Sequence, residues 1–174
     1  SKIHSAKFAG MWGRTNYKFK PNLISGINTP TFSLPVSEKM FASEEMQKTL
    51  LTEVINTNLR RPNRYAYSCL NFMLLKEAIE NITKQDLNQY EQTNFYKKLG
   101  ATTTTFQPLK YMSNEHIPPS ENDQFFRKQI LRGYVHDEGA ALFGGISGNA
   151  GLFSSANDLA KIYQMFLNGG SYGG

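Results

Sequence analysis

Residues 144–160 read Gly-Gly-Ile-Ser-Gly-Asn-Ala-Gly-Leu-Phe-Ser-Ser-Ala-Asn-Asp-Leu-Ala, and this stretch carries the strongest structural signal of the chain. Glycine fills four of its first eight positions, which permits positive φ angles and a close approach of the backbone to neighbouring elements. The stretch lacks both glycine patterns of phosphate-binding loops, and Asn149 breaks the Gly-x-Ser-x-Gly pattern of a nucleophile elbow. Ser154 and Ser155 suit the cap of a following helix better than they suit reactive hydroxyls. The stretch therefore predicts a closely packed loop that leads into a helix.

Helix signals recur along the rest of the chain. Most combine a capping residue with apolar residues at intervals of three or four. They predict helices over 44–58, over 70–82, from 83–86 to Gly100, from 120–123 to about Gly133, and from Ser155 to Gly169. Strand signals are few, at Thr31–Val36 and Thr102–Phe106, and prolines weaken the first of these. The pattern is typical of a mainly helical protein with long ordered loops.

The length and composition exclude several kinds of structure and site. A chain of 174 residues is long enough for one hydrophobic core, and it contains no run of about 18 apolar residues that could span a membrane. Its one cysteine, Cys69, excludes an internal disulfide and a cysteine-built metal site. The three histidines are scattered, so the sequence predicts neither a bound metal nor another cofactor.

The net charge of +5 is concentrated at the start of the chain. Residues 1–20 hold five basic residues and no acidic ones, with four aromatic residues between them. Such an arm could contact nucleic acid or anionic lipid. We expect instead a surface loop whose acidic partners lie elsewhere, and no nucleic-acid partner. A second basic cluster, formed by Arg60, Arg61 and Arg64, is compatible with a site wall or an ion pair.

Three further strings occur in order along the chain before residues 144–160. Tyr67-Ser68-Cys69 precedes the second predicted helix, and 117–123 and 132–138 read Ile-Pro-Pro-Ser-Glu-Asn-Asp and Arg-Gly-Tyr-Val-His-Asp-Glu. In this order the strings resemble the interior of a serine β-lactamase/penicillin-binding-protein-like hydrolase, most strongly from 65 to 170. The resemblance implies an α+β fold, namely the mainly helical portion of the β-lactamase/transpeptidase-like fold with most of the antiparallel sheet missing. It also implies one incomplete domain over 1–174, with a loop-rich basic arm and cleft segment at 1–42 and a helical subdomain and cleft loops at 43–174.

The resemblance also implies a site at the start of the second helix. Tyr67 occupies the first position of the family's Tyr-x-Asn triplet, which implies a general base or proton relay. A tyrosine of pKa about 10 acts as a base near neutrality only if nearby positive charge favours its phenolate. Cys69 takes the substrate-contact position of the triplet, where a thiol donates only weakly. Ser147, Gly148 and Asn149 are the implied substrate-binding residues of the glycine-rich loop, and Asn149 stands where relatives commonly have histidine.

The string at 132–138 resembles acid/base machinery at first sight. Adjacent side chains diverge on a regular element, so neighbouring residues rarely converge on one reacting atom. We therefore expect a structural loop network held by charge-assisted hydrogen bonds. Its predicted members are Glu121, Arg132, His136 and Asp137, with Arg127 as an alternative partner for the acidic side chains.

Two motifs that complete the family's chemistry do not occur in the sequence. No serine is followed three residues later by lysine, and neither Lys-Thr-Gly nor His-Thr-Gly occurs. We therefore expect an internal fragment, inert in isolation, of an extracytoplasmic (periplasmic or secreted) serine hydrolase. Its substrates would be amides or esters such as a β-lactam, a muropeptide or a small ester, cleaved through an acyl-enzyme. The alternative is a non-catalytic β-lactamase-like domain that binds cell-wall glycan or peptide, and the resemblance also suggests a fused β-N-acetylhexosaminidase-like domain in the parent protein.

Overall fold

The computed structural model describes residues 22–58 and 67–173. Within them, helices combine with three small antiparallel sheets, which agrees with the predicted α+β class. The first sheet has the order β1-β3-β2, the second pairs β4 with β7, and the third pairs β5 with β6. The strands are β1 (Ile24–Ser25), β2 (Leu34–Ser37), β3 (Met40–Ala42), β4 (Thr105–Phe106), β5 (Pro119–Asp123), β6 (Gln129–Arg132) and β7 (Leu152–Phe153).

Six α-helices are present among the described residues. They are α1 (Glu44–Ile55), α2 (Leu70–Thr83), α3 (Leu87–Glu91), α4 (Lys97–Leu99), α5 (Glu138–Leu142) and α6 (Ala156–Leu167). A π-helical turn, Gln92–Tyr96, joins α3 to α4, and 3-10 turns occur at Pro108–Lys110 and Asn114–His116. The predictions of α1, α2 and α6 are confirmed within a few residues, and the third predicted helix is divided by the π turn.

The helices α1, α3 and α6 begin where capping side chains satisfy free backbone N–H groups. Ser43, Asp86 and Ser155 accept hydrogen bonds from the backbone N–H of Met46, Gln89 and Asp158. Such caps contribute about 1 kcal/mol each to helix stability. Gly100 ends α4 at a φ of 67°, a left-handed conformation that favours glycine.

The predicted helix from 120–123 to Gly133 is wrong, because this segment forms the hairpin of β5 and β6. The Ser-x-x-Asp pattern resembles a helix start, but Asp123 accepts from the backbone N–H groups of Phe125, Phe126 and Arg127 in a turn. Lys128, with a φ of 53°, then reverses the chain into β6. A second missed element is α5, which has buried alanines instead of an amphipathic pattern.

The hydrophobic core lies between α1, α5 and the first sheet. The predicted amphipathic face of α1 is buried through Met46, Leu50 and Val54, and α5 packs against β2. By contrast, α2 buries only Met73 and α6 buries only Asp158. Large apolar side chains on these two helices face outward; they include Phe72, Leu75, Ile82, Leu159, Tyr163, Phe166 and Leu167.

Because its apolar side chains face outward, α6 is anchored mainly through a buried carboxylate. Asp158 is 2% exposed and accepts from both the backbone N–H and the hydroxyl of Thr103, each at 2.7 Å. The Lys161 ammonium lies 3.2 Å from the same carboxylate. Burial alone would raise the pKa of Asp158, but the hydrogen bonds from Thr103 and Lys161 outweigh it and lower that pKa.

We expect Asp158→Ala to lower the free energy of unfolding by about 3 kcal/mol, because it leaves the Thr103 backbone N–H without its acceptor and the Lys161 ammonium with only the Gly100 carbonyl oxygen. Urea unfolding followed by circular dichroism measures the loss. Asp86→Ala is the control, since it removes one exposed cap bond and should cost only about 1 kcal/mol. Equal losses for the two variants would contradict the anchoring role of Asp158.

Candidate functional site

Tyr67 and Cys69 lie directly before the first turn of α2. The Ser68 hydroxyl accepts from the backbone N–H of Leu70 at 3.2 Å, which shapes the entry to the helix. The Cys69 thiol lies 3.7 Å from the phenolic oxygen of Tyr67, and the side chain of Tyr67 is 74% exposed. The helix entry thus presents a phenol and a thiol side by side to solvent.

The glycine-rich loop 144–151 packs against the first turn of the same helix. A Cβ atom at Gly148 would lie 2.1 Å from the carbonyl oxygen of Phe72 and 3.3 Å from the Cβ of Lys76. No residue with a side chain fits at such a separation, so glycine is required here for steric reasons. This contact brings two strings that are about 75 residues apart in sequence to the same turn of α2.

Inside the loop, Ser147 is buried and donates a hydrogen bond to the side-chain carbonyl oxygen of Asn149 at 2.7 Å. Gly151 has a φ of 117°, and a Cβ there would lie 2.4 Å from the carbonyl oxygen of Gly145. The loop is therefore folded on itself. Its Ser147 hydroxyl faces an amide and not a base, so none of the described residues activates this serine in the way that a nucleophile needs.

Two glutamine side chains fix the start of the loop. The Gln47 amide donates to the carbonyl oxygen of Phe143 at 2.9 Å, and the Gln107 amide donates to that of Gly144. Sequence reasoning did not identify either residue. Gln107 adopts a left-handed φ of 46°, which its position before a proline does not reveal.

The Lys76 ammonium does not face the helix entry. It lies 2.7 Å from Glu80 and 3.0 Å from Glu77, both on α2. Burial would lower the pKa of Lys76, but these two carboxylates raise it. This lysine therefore stays charged and paired along its own helix, and the cation that Tyr67 would need as a base must come from another group.

Arg127 organises a second cluster of polar residues. Its buried guanidinium contacts Asp123 at 2.7 Å and Glu121 at 3.2 Å. It also donates to the backbone carbonyl oxygens of Val135 and His136, each at 2.6 Å. One side chain thereby ties the β5–β6 hairpin to the segment that leads into α5.

The four residues predicted for a loop network are only partly brought together. Glu121 lies 3.6 Å from the ring of His136, which is 67% exposed. Arg132 instead donates to the carbonyl oxygen of Ile117 at 2.8 Å, and Asp137 caps α5 by accepting from Ala140. A signal for the central role of Arg127 was present, because Asp123 stands four residues before it.

Asp123 is 3% exposed, and burial alone would raise the pKa of its carboxyl group. The side chain of Arg127 and three backbone N–H groups donate to the carboxylate and lower its pKa below the ordinary value. A carboxylate held in this way stabilises the fold only while it is ionised.

Other predictions concern metals, membranes and the basic segments. Among the described residues, no group of three or more histidine, cysteine or acidic side chains could hold a metal ion. No helix in this part of the chain is long and apolar enough to cross a membrane. The basic arm at 1–20 and the cluster of Arg60, Arg61 and Arg64 lie outside the described residues.

The profile of the Beta-lactamase family matches residues 25–174, and the chain therefore belongs to this family, as its motifs predicted. Proteins of Salmonella paratyphi B, Salmonella newport and Salmonella dublin are each named "Putative D-alanyl-D-alanine carboxypeptidase". They are 34% identical to the chain over 150 residues, which is 79% of this chain and 35% of each relative. The chain thus spans about a third of the length of these relatives. No solved structure gave a significant match.

We expect Gly148→Ala to lower the free energy of unfolding by about 2 kcal/mol, because its methyl group would overlap the Phe72 carbonyl and push the loop off α2. Thermal or urea unfolding measures this loss. Gly26→Ala is the matched control, since its Cβ would have 3.8 Å of clearance and its φ is not positive; we expect a change within about 0.5 kcal/mol. A tolerated Gly148→Ala would contradict the tight contact.

We expect the free energy of unfolding to fall as the pH drops below about 4, where the unfolded chain binds protons more readily than Asp123 and Asp158 do in the fold. Both folded pKa values are lowered, so their contribution is complete above the unfolded value and is lost as pH falls through the folded values. Burial raises the pKa of Glu91, so its protonation changes the free energy of unfolding in the opposite direction. The effect of the two aspartates is therefore measured below the pH range in which Glu91 titrates. Urea unfolding at several pH values measures how steeply the free energy of unfolding falls with pH. This fall should be shallower for Asp123→Asn than for the unchanged protein, and an equal fall would contradict the role of Asp123.

Proposed function

We propose that the chain is part of a serine hydrolase that cleaves peptidoglycan-type amide bonds through an acyl-enzyme. One observation carries the proposal: the loop 147–149 packs on the turn of α2 that follows Tyr67, at the Gly148–Phe72 contact. The two motifs that the family uses around its cleft are thereby adjacent in space. The names of the Salmonella relatives support a D-alanyl-D-alanine peptide as the substrate class.

In this proposal Tyr67 relays the proton of the nucleophile. A serine outside this chain attacks the amide carbonyl, its proton passes to the Tyr67 oxygen, and the leaving amine takes that proton. Water then hydrolyses the acyl-enzyme. The exposure of Tyr67 supports the assignment, because a relay must be reachable from the cleft. A cation near Tyr67, also from outside the described residues, would favour its phenolate.

The other residues of the site bind and position the substrate in this proposal. The Cys69 thiol takes the place of the family's usual amide and offers only a weak donor. The Ser147–Asn149 hydrogen bond keeps the loop rigid, so that it forms one wall of the cleft. We propose structural roles around Arg127 for four further residues, namely Glu121, Arg132, His136 and Asp137. The protein would act outside the cytoplasm, where peptidoglycan lies, and the suggested β-N-acetylhexosaminidase-like domain would be joined to it there.

The test uses a fluorescent penicillin that acylates reactive serines. We expect no labelling of the 174-residue chain, since it lacks Ser-x-x-Lys, and labelling of the full gene product. Within that product, Tyr67→Phe should slow acylation by about a hundredfold or more. Tyr163→Phe, an exposed tyrosine on α6, is the control and should leave the rate unchanged. Labelling of the isolated chain would contradict a nucleophile outside this chain, and equal rates for the two variants would contradict the proposed role of Tyr67.

A second candidate function is binding of cell-wall glycan or peptide without turnover. Two observations favour it: the Cys69 thiol contacts the phenol that should relay a proton, and the Asn149 carbonyl oxygen is occupied within the loop. In this case the full gene product would bind muropeptide in calorimetry but would not release D-alanine. Cys69→Asn distinguishes the two candidates, because it restores the family's triplet and should raise turnover only if the reaction takes place.

A further inference from the structure

A cavity of about 140 Å³ is bordered by Gly144 and Gly145 at the start of the glycine-rich loop. Most of its lining is apolar and includes Val36 of β2, Val135, Phe153 of β7 and Leu109. Val36 and Val135 belong to the buried core, whereas Leu109 is 37% exposed, so the cavity extends from the core to the surface. A dry apolar cavity of similar size is large enough to hold a phenyl ring.

Glycines form the walls of this cavity and keep it open. Gly133 has a φ of 74°, and a Cβ there would lie 2.5 Å from the Cγ of Leu109. Gly144 and Gly145 have φ values of 78° and 84°, a conformation that strains any residue with a side chain. The backbone therefore sets the shape of the cavity, and substitution at these positions would close or distort it.

The lining residues also include Lys110, which is exposed, and Tyr134, which is half-buried. Among the described residues, the Lys110 ammonium and the Tyr134 hydroxyl have no hydrogen-bond or ion-pair partner, so both remain available as donors. The third polar lining side chain, Gln107, is already bonded to Gly144. Burial raises the pKa of Tyr134, and the nearby Glu38 carboxylate adds to the effect, so the hydroxyl keeps its proton and remains a donor.

We propose that this cavity binds a compact apolar group, about the size of a phenyl ring, whose carbonyl accepts hydrogen bonds from Tyr134 and Lys110. The apolar lining selects the ring, since burying it removes apolar surface from water. The two free donors select an acceptor. This inference goes beyond the proposed function, because binding here requires neither a nucleophile nor Tyr67.

The cavity is close to the helix entry although it is separate from it. Gly145 lines the cavity and Gly148 contacts Phe72. Three steps of about 3.8 Å between Cα atoms separate the two glycines, so they lie within about 11 Å of each other. A ligand in the cavity therefore contacts the loop that forms the wall of the proposed site.

Titration of the isotope-labelled chain with phenylacetamide, followed by NMR, tests the proposal. We expect saturable shifts of the backbone amides of Gly133, Gly144 and Gly145. Acetamide, which has the carbonyl but no ring, should bind more weakly, because it buries less apolar surface. Tyr134→Phe removes only the hydroxyl and should weaken phenylacetamide binding by about threefold to tenfold. Tyr163→Phe is its control and should change nothing, and neither should Tyr67→Phe, which separates this test from that of the hydrolase.

A second pair of variants tests the location. Leu109→Trp should fill the cavity and abolish the shifts, whereas Leu159→Trp should leave them intact; the two leucines are 37% and 38% exposed. Shifts that do not saturate, or equal effects of Tyr134→Phe and Tyr163→Phe, would overturn the proposal even if Leu109→Trp failed to fold. The titration is repeated on the full gene product, where loss of binding would show that another part of the protein fills the cavity and would also overturn the proposal.

Discussion

The fold in the middle of this chain depends on the interactions of one buried group, the guanidinium of Arg127. A guanidinium taken out of water costs several kcal/mol unless its donors are satisfied and its charge is balanced. Here two carboxylates balance the charge, and the carbonyl oxygens of Val135 and His136 take further hydrogen bonds. These four partners come from the hairpin and from the segment after it, so both must take one relative position.

The position of the hairpin also determines where the glycine-rich loop lies, because a short buried segment connects the two. Val135 lines the cavity, Asp137 caps α5, and the end of α5 leads directly into Gly144. Because α5 is buried, it cannot shift without opening the core. The loop then meets α2 at a contact that admits only a glycine. Arg127 thus influences the geometry at the start of α2 through α5 and the glycine-rich loop, without a direct contact.

The sequence predicted α1, α2 and α6 well, because apolar spacing in all three, together with a cap at α1 and α6, is a local signal. It failed at 120–133, where Ser-x-x-Asp also matches the start of a helix. In the structure, the Asp123 carboxylate binds three successive backbone N–H groups of a turn, and its pairing with Arg127 is completed by carbonyl oxygens eight and nine residues beyond that arginine. A pattern of four residues contains no information about those distant acceptors, so the choice between helix and hairpin could not be made from it. For the same reason α5 was missed: its alanines are buried by the neighbouring β2 and carry no amphipathic period.

Family membership, the starts of α1, α2 and α6, and the glycine-rich character of 144–151 were determined by the sequence alone, since each depends on residue types at short spacing. The tertiary structure decided which residues, distant in sequence, these elements contact. It placed Gly148 against the Phe72 carbonyl, Asp158 under Thr103, and Arg127 among its four partners. It also left the apolar residues of α6 facing outward, although the sequence places them on one face. Steric fit and hydrogen-bond pairing between segments far apart in the chain depend on three-dimensional distances, which a linear pattern does not contain.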